Sequence, residues 1–351
     1  VTTGDSGKYD ISLDKYGDYL FTPAKQTGAD IDEFSILAYD AALTAQAAVE
    51  LIELNAGQSV AANVDCDTAV TMFDAMLIAH YVAGLAKPVE SHVAEWKFEP
   101  ENHHYENLYG DFPNENYTGI ILGNVNGFWQ VPETVQKRFE HYNIARSVNT
   151  KDVGIGERIS IPCLIDQSER DVISADVDIT FDQSALRYVG FEKGEPCGHF
   201  NVVENAQDGR LRMCLFGTEP VNQSGILGTI IFEVVETHNN SAFIDINRYQ
   251  LNDYSPKKAS ITVTFAGQPT EIKTFTLDQN YPNPFSDSKG SMNSGTMIKY
   301  EIPEQSHVSV QVFNVLGQKV RTLVDKTRER GRYVLFWDGR DDSGGKLSNG
   351  I

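Results

Sequence analysis

Residues 63–85 read NVDCDTAVTMFDAMLIAHYVAGL. Oxygen-bearing side chains fall on alternate positions and an apolar run follows at once, so the stretch folds as a loop closing directly onto a helix. With Asn63 as the first position, Asp65 is third, Asp67 fifth, Ala69 seventh, Thr71 ninth and Asp74 twelfth. This is the ligand spacing of a twelve-residue calcium loop, where hard oxygens at odd positions converge and the seventh residue gives a backbone carbonyl. Thr68 stands where such loops turn on glycine, and Asp74 where they carry a bidentate glutamate. A second description fits the same residues. Thr71 and Asp74 have capping-box spacing, and acidic side chains suit a helix N-terminus without any metal. Sequence leaves both open.

The helix that follows sets Leu77, Ile78, Tyr81, Val82 and Leu85 on one face, with Gly84 as its C-cap. An imperfect copy lies upstream: AYDAALTAQAAVEL against MFDAMLIAHYVAGL, with Asp40-Ala41 aligned on Asp74-Ala75. The period predicts a helix over residues 41–54, with Leu43, Ala47, Leu51 and Leu54 on one face. Taking Asp40 as the twelfth position puts Ala29, Ile31 and Glu33 at the first, third and fifth. A slip of register brings Asp30 and Asp32 there instead. The first copy is therefore either a calcium site of Asp30, Asp32 and Asp40 or a plainly capped helix.

The rest of the chain changes period. Residues 91–141 are aromatic, rich in His and Asn and weakly periodic, which predicts an irregular connector. From 142 to 266 the pattern is that of strands: SADVDITFD alternates Ala175, Val177, Ile179 and Phe181 with polar residues, and GILGTIIFEVVE and ASITVTF continue the sheet. Strands with no helix between them predict an antiparallel sandwich. LDQNYPNPFSDS then breaks the pattern with Asn280, Pro282, Asn283 and Pro284. Beyond it, Gly-rich turns separate further strands over 267–351, with Val308, Val310 and Val312 as a core face, giving a second, smaller sandwich. Residues 1–28 read as the remnant of a β-domain, so the chain is expected to be a piece of a longer precursor. The fold class is mainly β and modular: a small helical module carrying calcium-type loops over 29–90, then two β-sandwiches.

Bulk properties narrow the partners. The 49 acidic and 29 basic residues give a net charge of −20, which disfavours nucleic acid and anionic membranes, both of which need positive surface. No apolar run approaches a membrane span, and the N-terminus has neither the basic start nor the apolar core of a signal peptide. The four cysteines form no zinc pattern. Cys197 and Cys214 flank the turn NAQDGR, as a cross-hairpin disulfide or as buried thiols. Gly4–Gly7 spell GDSG without the partners of a nucleophile loop, and His103-His104 lacks zinc-helix spacing. Asn124-Val-Asn126-Gly reads as a tight turn ahead of metal contact. No catalytic residue is assigned.

Two loop–helix repeats with aromatic-Asp-Ala starts and a YVAGL end resemble a dockerin module. In that family each loop binds calcium and the helices face a cohesin partner. The resemblance implies Ca2+ at Asn63, Asp65, Asp67, Ala69, Thr71 and Asp74, and at Asp30, Asp32 and Asp40. ERISIPCLID, SADVDITFDQSALRYVGFEKG and GILGTIIFEVV resemble a cohesin-like sandwich. LDQNYPNPFS, TMIKYEIP, VSVQVFNVLGQKVRTLV and GRYVLFWDGRDDSGGKLSNGI resemble a type IX secretion sorting domain, which implies contact with export machinery and an extracellular or cell-surface location. The expectation is a secreted non-catalytic protein that associates with other proteins under calcium, or with itself as a head-to-tail filament. The alternatives are the non-catalytic tail of a larger secreted hydrolase and a carbohydrate-binding sandwich.

Overall fold

The computed structural model describes residues 9–13, 17–25, 31, 34–108, 112, 115–127, 140–141, 148, 150, 152–166, 168–237, 240–265, 272–281, 283, 285 and 295–347. The fold is mainly β and modular.

A short strand, Tyr19–Phe21 (β1), precedes helix Ala38–Ala48 (α1). The helix stops before Leu54, the end its period predicts. Glu50 takes a left-handed φ of 61°, and Glu50 and Leu51 return their N–H groups to the carbonyls of Ala47 and Gln46, both at 2.9 Å. This is a Schellman closure. The closure of the later helix Met72–Val82 (α3) is the same: Gly84 has a φ of 68°, and Gly84 and Leu85 bond to Tyr81 and His80. Glu50 thus fills the place of Gly84 in the repeat, so the sequence lacks the glycine that would mark the stop. Between them Ala56–Ala62 (α2) is set by Asn55 and Gln58, which cap each other reciprocally.

Residues 91–141, expected to be irregular, supply structure to the same module. Trp96–Glu99 (β2), His103–Tyr105 (β3) and Thr118–Ile121 (β4) follow, β2 pairing with β4 and β3 with β1. Ile120, Ile121, Leu122 and Val125 join Ile36, Ala41, Ala75 and Ile78 in one buried cluster. Four short, separately paired strands carry too little alternation to be read from sequence.

Glu140–His141 (β5) leads to the large sandwich: Arg158–Ile165 (β6), Val172–Phe181 (β7), Leu186–Lys193 (β8), Asn201–Gln207 (β9), Arg210–Val221 (β10), Gly225–Val234 (β11), Ser241–Leu251 (β12) and Lys257–Thr264 (β13). One sheet runs β5-β13-β12-β7-β10-β9 and the other β6-β11-β8. Inward residues of β7 and β10, among them Val177, Ile179, Leu211 and Met213, meet Ile159, Ile161, Leu227 and Phe232 from the opposing sheet. Thr276–Leu277 (β14), Thr296–Ile302 (β15), Ser306–Phe313 (β16), Lys319–Arg328 (β17) and Gly331–Trp337 (β18) form the smaller unit. Its core is Tyr300, Ile302, Val324, Tyr333 and Leu335, with Val308 and Val310 packed beside it and Val312 half-buried. This unit contacts the large sandwich through Arg332, which ion-pairs with Glu157 there and is held at 2.8 Å by Glu301 of its own sheet. Arg328 and Lys326 both reach Glu192.

Candidate functional site

The loop before α3 is tied from within. Asp65 accepts the Asp67 N–H at 3.1 Å, and Asp67 accepts that of Ala69 at 2.7 Å. Asn63 donates its amide to the Asp67 carbonyl at 3.0 Å, while its own Oδ1 is buried with no partner among the described residues. Thr71 caps α3, and the buried Asp74 closes the loop onto the helix. Asp74 Oδ2 accepts from Thr71 N–H and hydroxyl, and Oδ1 from the N–H groups of Val64 and Asp65, at 2.8–3.3 Å. Burial raises its carboxyl above the ordinary value, against the pull of the Thr71 and Asp65 donors. The capping-box description therefore holds. Four donors fill the acceptor capacity of Asp74, whereas Asn63 Oδ1 and the second oxygens of Asp65 and Asp67 accept nothing from the described residues. Those are the oxygens that fit a hard cation. Among the described residues, no three His, Cys, Asp or Glu side chains are gathered as a metal cluster.

Asp40 repeats the arrangement with a different loop. Its Oδ2 accepts the Leu37 N–H at 2.8 Å, as Asp74 does for Thr71. Its Oδ1 accepts from Val125 at 2.8 Å and Asn126 at 2.9 Å, as Asp74 does from Val64 and Asp65. Asn124-Val125-Asn126 thus faces α1 in the way Asn63-Val64-Asp65 faces α3, and Asn124 Oδ1 is likewise buried without a partner among the described residues. Asp30 and Asp32, the sequence candidates beside Asp40, lie outside the described residues. The shared Asn-Val-Asx triplet was visible in the sequence, but nothing local links residue 124 to a helix over eighty residues earlier. Burial pushes the Asp40 carboxyl up to about 7, opposed by the Asn126, Leu37 and Val125 donors.

Both helices rest on the outer face of the β12-β7-β10-β9 sheet. Pairing across the strands sets Gln250, Asp176, Cys214 and Val203 in one row, and Arg248, Asp178, Arg212 and Asn205 in the next. Asp176 caps α1 from the other unit: both of its oxygens accept the Ala38 N–H, at 3.1 and 3.2 Å, at the positive end of the helix. Gln46 donates to the Thr218 carbonyl and Asn205 to the Gly84 carbonyl, both at 2.9 Å. Ala38, Ala41, Ala42 and Ala45 are fully buried in the same cluster as Val203, Cys214 and Phe216, so small side chains line the buried face of the helix.

Cys214 does not meet Cys197. Cys214 pairs with Val203 and points to the helices, whereas Cys197 packs inside the sandwich against the Leu227 carbonyl. All four cysteines are free. The expected hairpin closes at Asp208-Gly209, too far along for Cys197 to reach across. His103 pairs with Glu115 at 3.3 Å and lies edge-on to Tyr117. Gly4–Gly7 lie outside the described residues.

Two families match this chain. Residues 144–273 match the Cohesin domain and residues 286–351 the FlgD Ig-like domain. Cohesin-type similarity is also found among solved structures. The sixth cohesin of scaffoldin B from Acetivibrio cellulolyticus, solved with a Cel5 dockerin mutant, is 17% identical over 34% of this chain and 95% of its own, with a TM-score of 0.27. A non-cellulosomal cohesin from Archaeoglobus fulgidus is 14% identical over 33% and 86%, with a TM-score of 0.26. A cohesin module of a Clostridium perfringens family 33 glycoside hydrolase is 13% identical over 34% and 91%, with a TM-score of 0.28. No curated protein matches. The cohesin match implies protein–protein association, and both matched domains are non-catalytic modules. No helix among the described residues is long and apolar enough to cross a membrane.

Proposed function

We propose that this chain is a secreted, non-catalytic association protein, with the outer face of the β12-β7-β10-β9 sheet as its working surface and a dockerin-like helical module as that surface's ligand. The observation that carries the reading is the Asp176 cap on α1. A sheet carboxylate placed over a helix N-terminus selects one helix end in one orientation, which a merely apolar contact does not do. Calcium fits the loop before α3, held by Asn63, Asp65, Asp67 and the Ala69 carbonyl, and it would stiffen the loop that orients α3. Asp40 serves the first helix through Asn124–Asn126, with Asp30 and Asp32 as further candidates. The C-terminal unit is the address for type IX-like export to the cell surface, and repetition of the helix–sheet contact between copies gives the filament.

The test frees the sheet. An Ala42→Arg variant drives α1 off its seat, and a calcium-loaded dockerin module is titrated against variant and parent by calorimetry. One-to-one binding is expected in the variant, and binding at least tenfold weaker in the parent. Binding by neither ends the association reading.

A further inference from the structure

The β6-β11-β8 sheet of the large sandwich also has a cover, the C-terminal unit, whose strand β18 packs across β6 and β11. Ser160 and Ile231 pair across those two strands and are both buried, yet Ile231 lies outside the sandwich core. On β18, Tyr333 and Leu335 belong to the core of the smaller unit, whereas Val334 between them is buried outside it. Each unit thus keeps apolar surface of the other from water. Around this centre the charges are sorted by sign. Arg321, Lys326, Arg328 and Arg332 all come from the smaller unit, and the Glu195, Glu192 and Glu157 carboxylates they meet all come from the sandwich. Arg332 also donates to the Asp152 carbonyl at 3.0 Å. Only 13% and 11% of the Arg328 and Arg332 side chains are exposed, and 2% of Glu157. One sign per side fixes the seating, because a slip in register leaves a buried ion without its partner.

The connector between the two units is built the other way. Residues 273–279 are exposed without a break, and exposed chain is where proteases cut. We propose that the C-terminal unit stays seated on the β6-β11-β8 sheet when this connector is cut, so that the cleaved protein is a two-chain complex. The seat has the anatomy of an interface in its own right, an apolar centre within a charged rim. The export address then remains with the cleaved protein as a lid, and it closes the β6-β11-β8 face to other partners. The proposal rests on the export reading only for the origin of a natural cut. In the experiment an added protease makes the cut, so a failure there leaves the export reading standing.

A protease recognition sequence inserted between Lys273 and Thr274 of the full chain lets the cut be made after folding. At about 1 μM protein and about 0.15 M salt, the two pieces are expected to leave a sizing column together while running apart in denaturant. Pieces that separate on the column overturn the proposal. Arg328→Glu sets a carboxylate against Glu192 and is expected to speed release of the cut unit by about tenfold or more, with Glu192→Arg in the same chain restoring retention. Lys326→Glu, on a side chain that is half exposed, disturbs the fold least and is expected to speed release in the same direction by less. Release from both variants at the parent's rate overturns the ionic seat.

Discussion

The Asp40 carboxylate holds the backbone N–H of Val125 at 2.8 Å across 85 residues, and with it the two ends of the helical module. Removal of this side chain strands the buried N–H groups of Leu37 and Val125 and the half-buried one of Asn126. Each orphan costs about 1–3 kcal/mol. Asp40→Ala is expected to destabilise the module by about 3 kcal/mol or more, with Asp74→Ala close behind. Urea unfolding followed by Trp96 fluorescence measures both. A loss below about 1 kcal/mol for Asp40→Ala would refute the clasp.

Calcium should raise the stability of the same module. At a hundredfold excess over the dissociation constant the gain is about 2.7 kcal/mol, read as a higher midpoint in thermal melts and reversed by chelator. Asp67→Ala is expected to erase the shift while leaving the metal-free midpoint nearly unchanged, since the Asp67 side chain makes one loop bond only, to Ala69. A shift that persists in Asp67→Ala locates the ion elsewhere.

Gly194 marks a place where a side chain has no room. A Cβ there would stand 2.1 Å from the Ile226 carbonyl oxygen and 2.8 Å from that of Leu227, both backbone atoms. Gly194→Ala must displace a strand, at about 1–3 kcal/mol or more. Gly57→Ala, whose nearest neighbour is the Asn55 side chain at 3.6 Å, is expected to be neutral or slightly stabilising. Denaturant midpoints of the two variants compare them directly.

The contact between the two sandwiches should be acid-sensitive. Burial pushes the Glu192 carboxyl up, but the hydrogen bonds and charges of Arg328 and Lys326 outweigh it and hold it below its ordinary value. A lowered carboxyl stabilises the contact at pH above the unfolded value, about 4.3 for glutamate, and the stabilisation is lost as pH falls through the folded value. Small-angle scattering should show the smaller unit loosening below about pH 4. Glu192→Gln should loosen at neutral pH, and the effect stays modest because Glu192 and Lys326 are partly exposed.

The parts of the fold written in local period were legible. The α3 loop and helix, the Gly84 stop, and the strands carrying Val177, Ile179 and Phe232 follow from spacing alone. What stayed hidden was long-range or lacked its usual marker. Glu50 stops α1 in a left-handed turn without a glycine. Asn124–Asn126 serve a helix far upstream. The outward residues of β7 and β10 alternate as a solvent face would, so nothing in Asp176 or Cys214 announces the helix that covers them.

The Asp176–Ala38 contact also sets where this protein can be cut. The cohesin match begins at residue 144, yet the buried surface of that sandwich includes α1 and α3. A fragment trimmed to the matched range would bare Phe216 and Cys214 to solvent and to other fragments. Expression boundaries that keep residues 34–127 attached should give the better-behaved material, and inheritance should follow the same line, with substitutions at Ala41 or Ala42 tolerated only alongside matching change at Cys214 or Phe216.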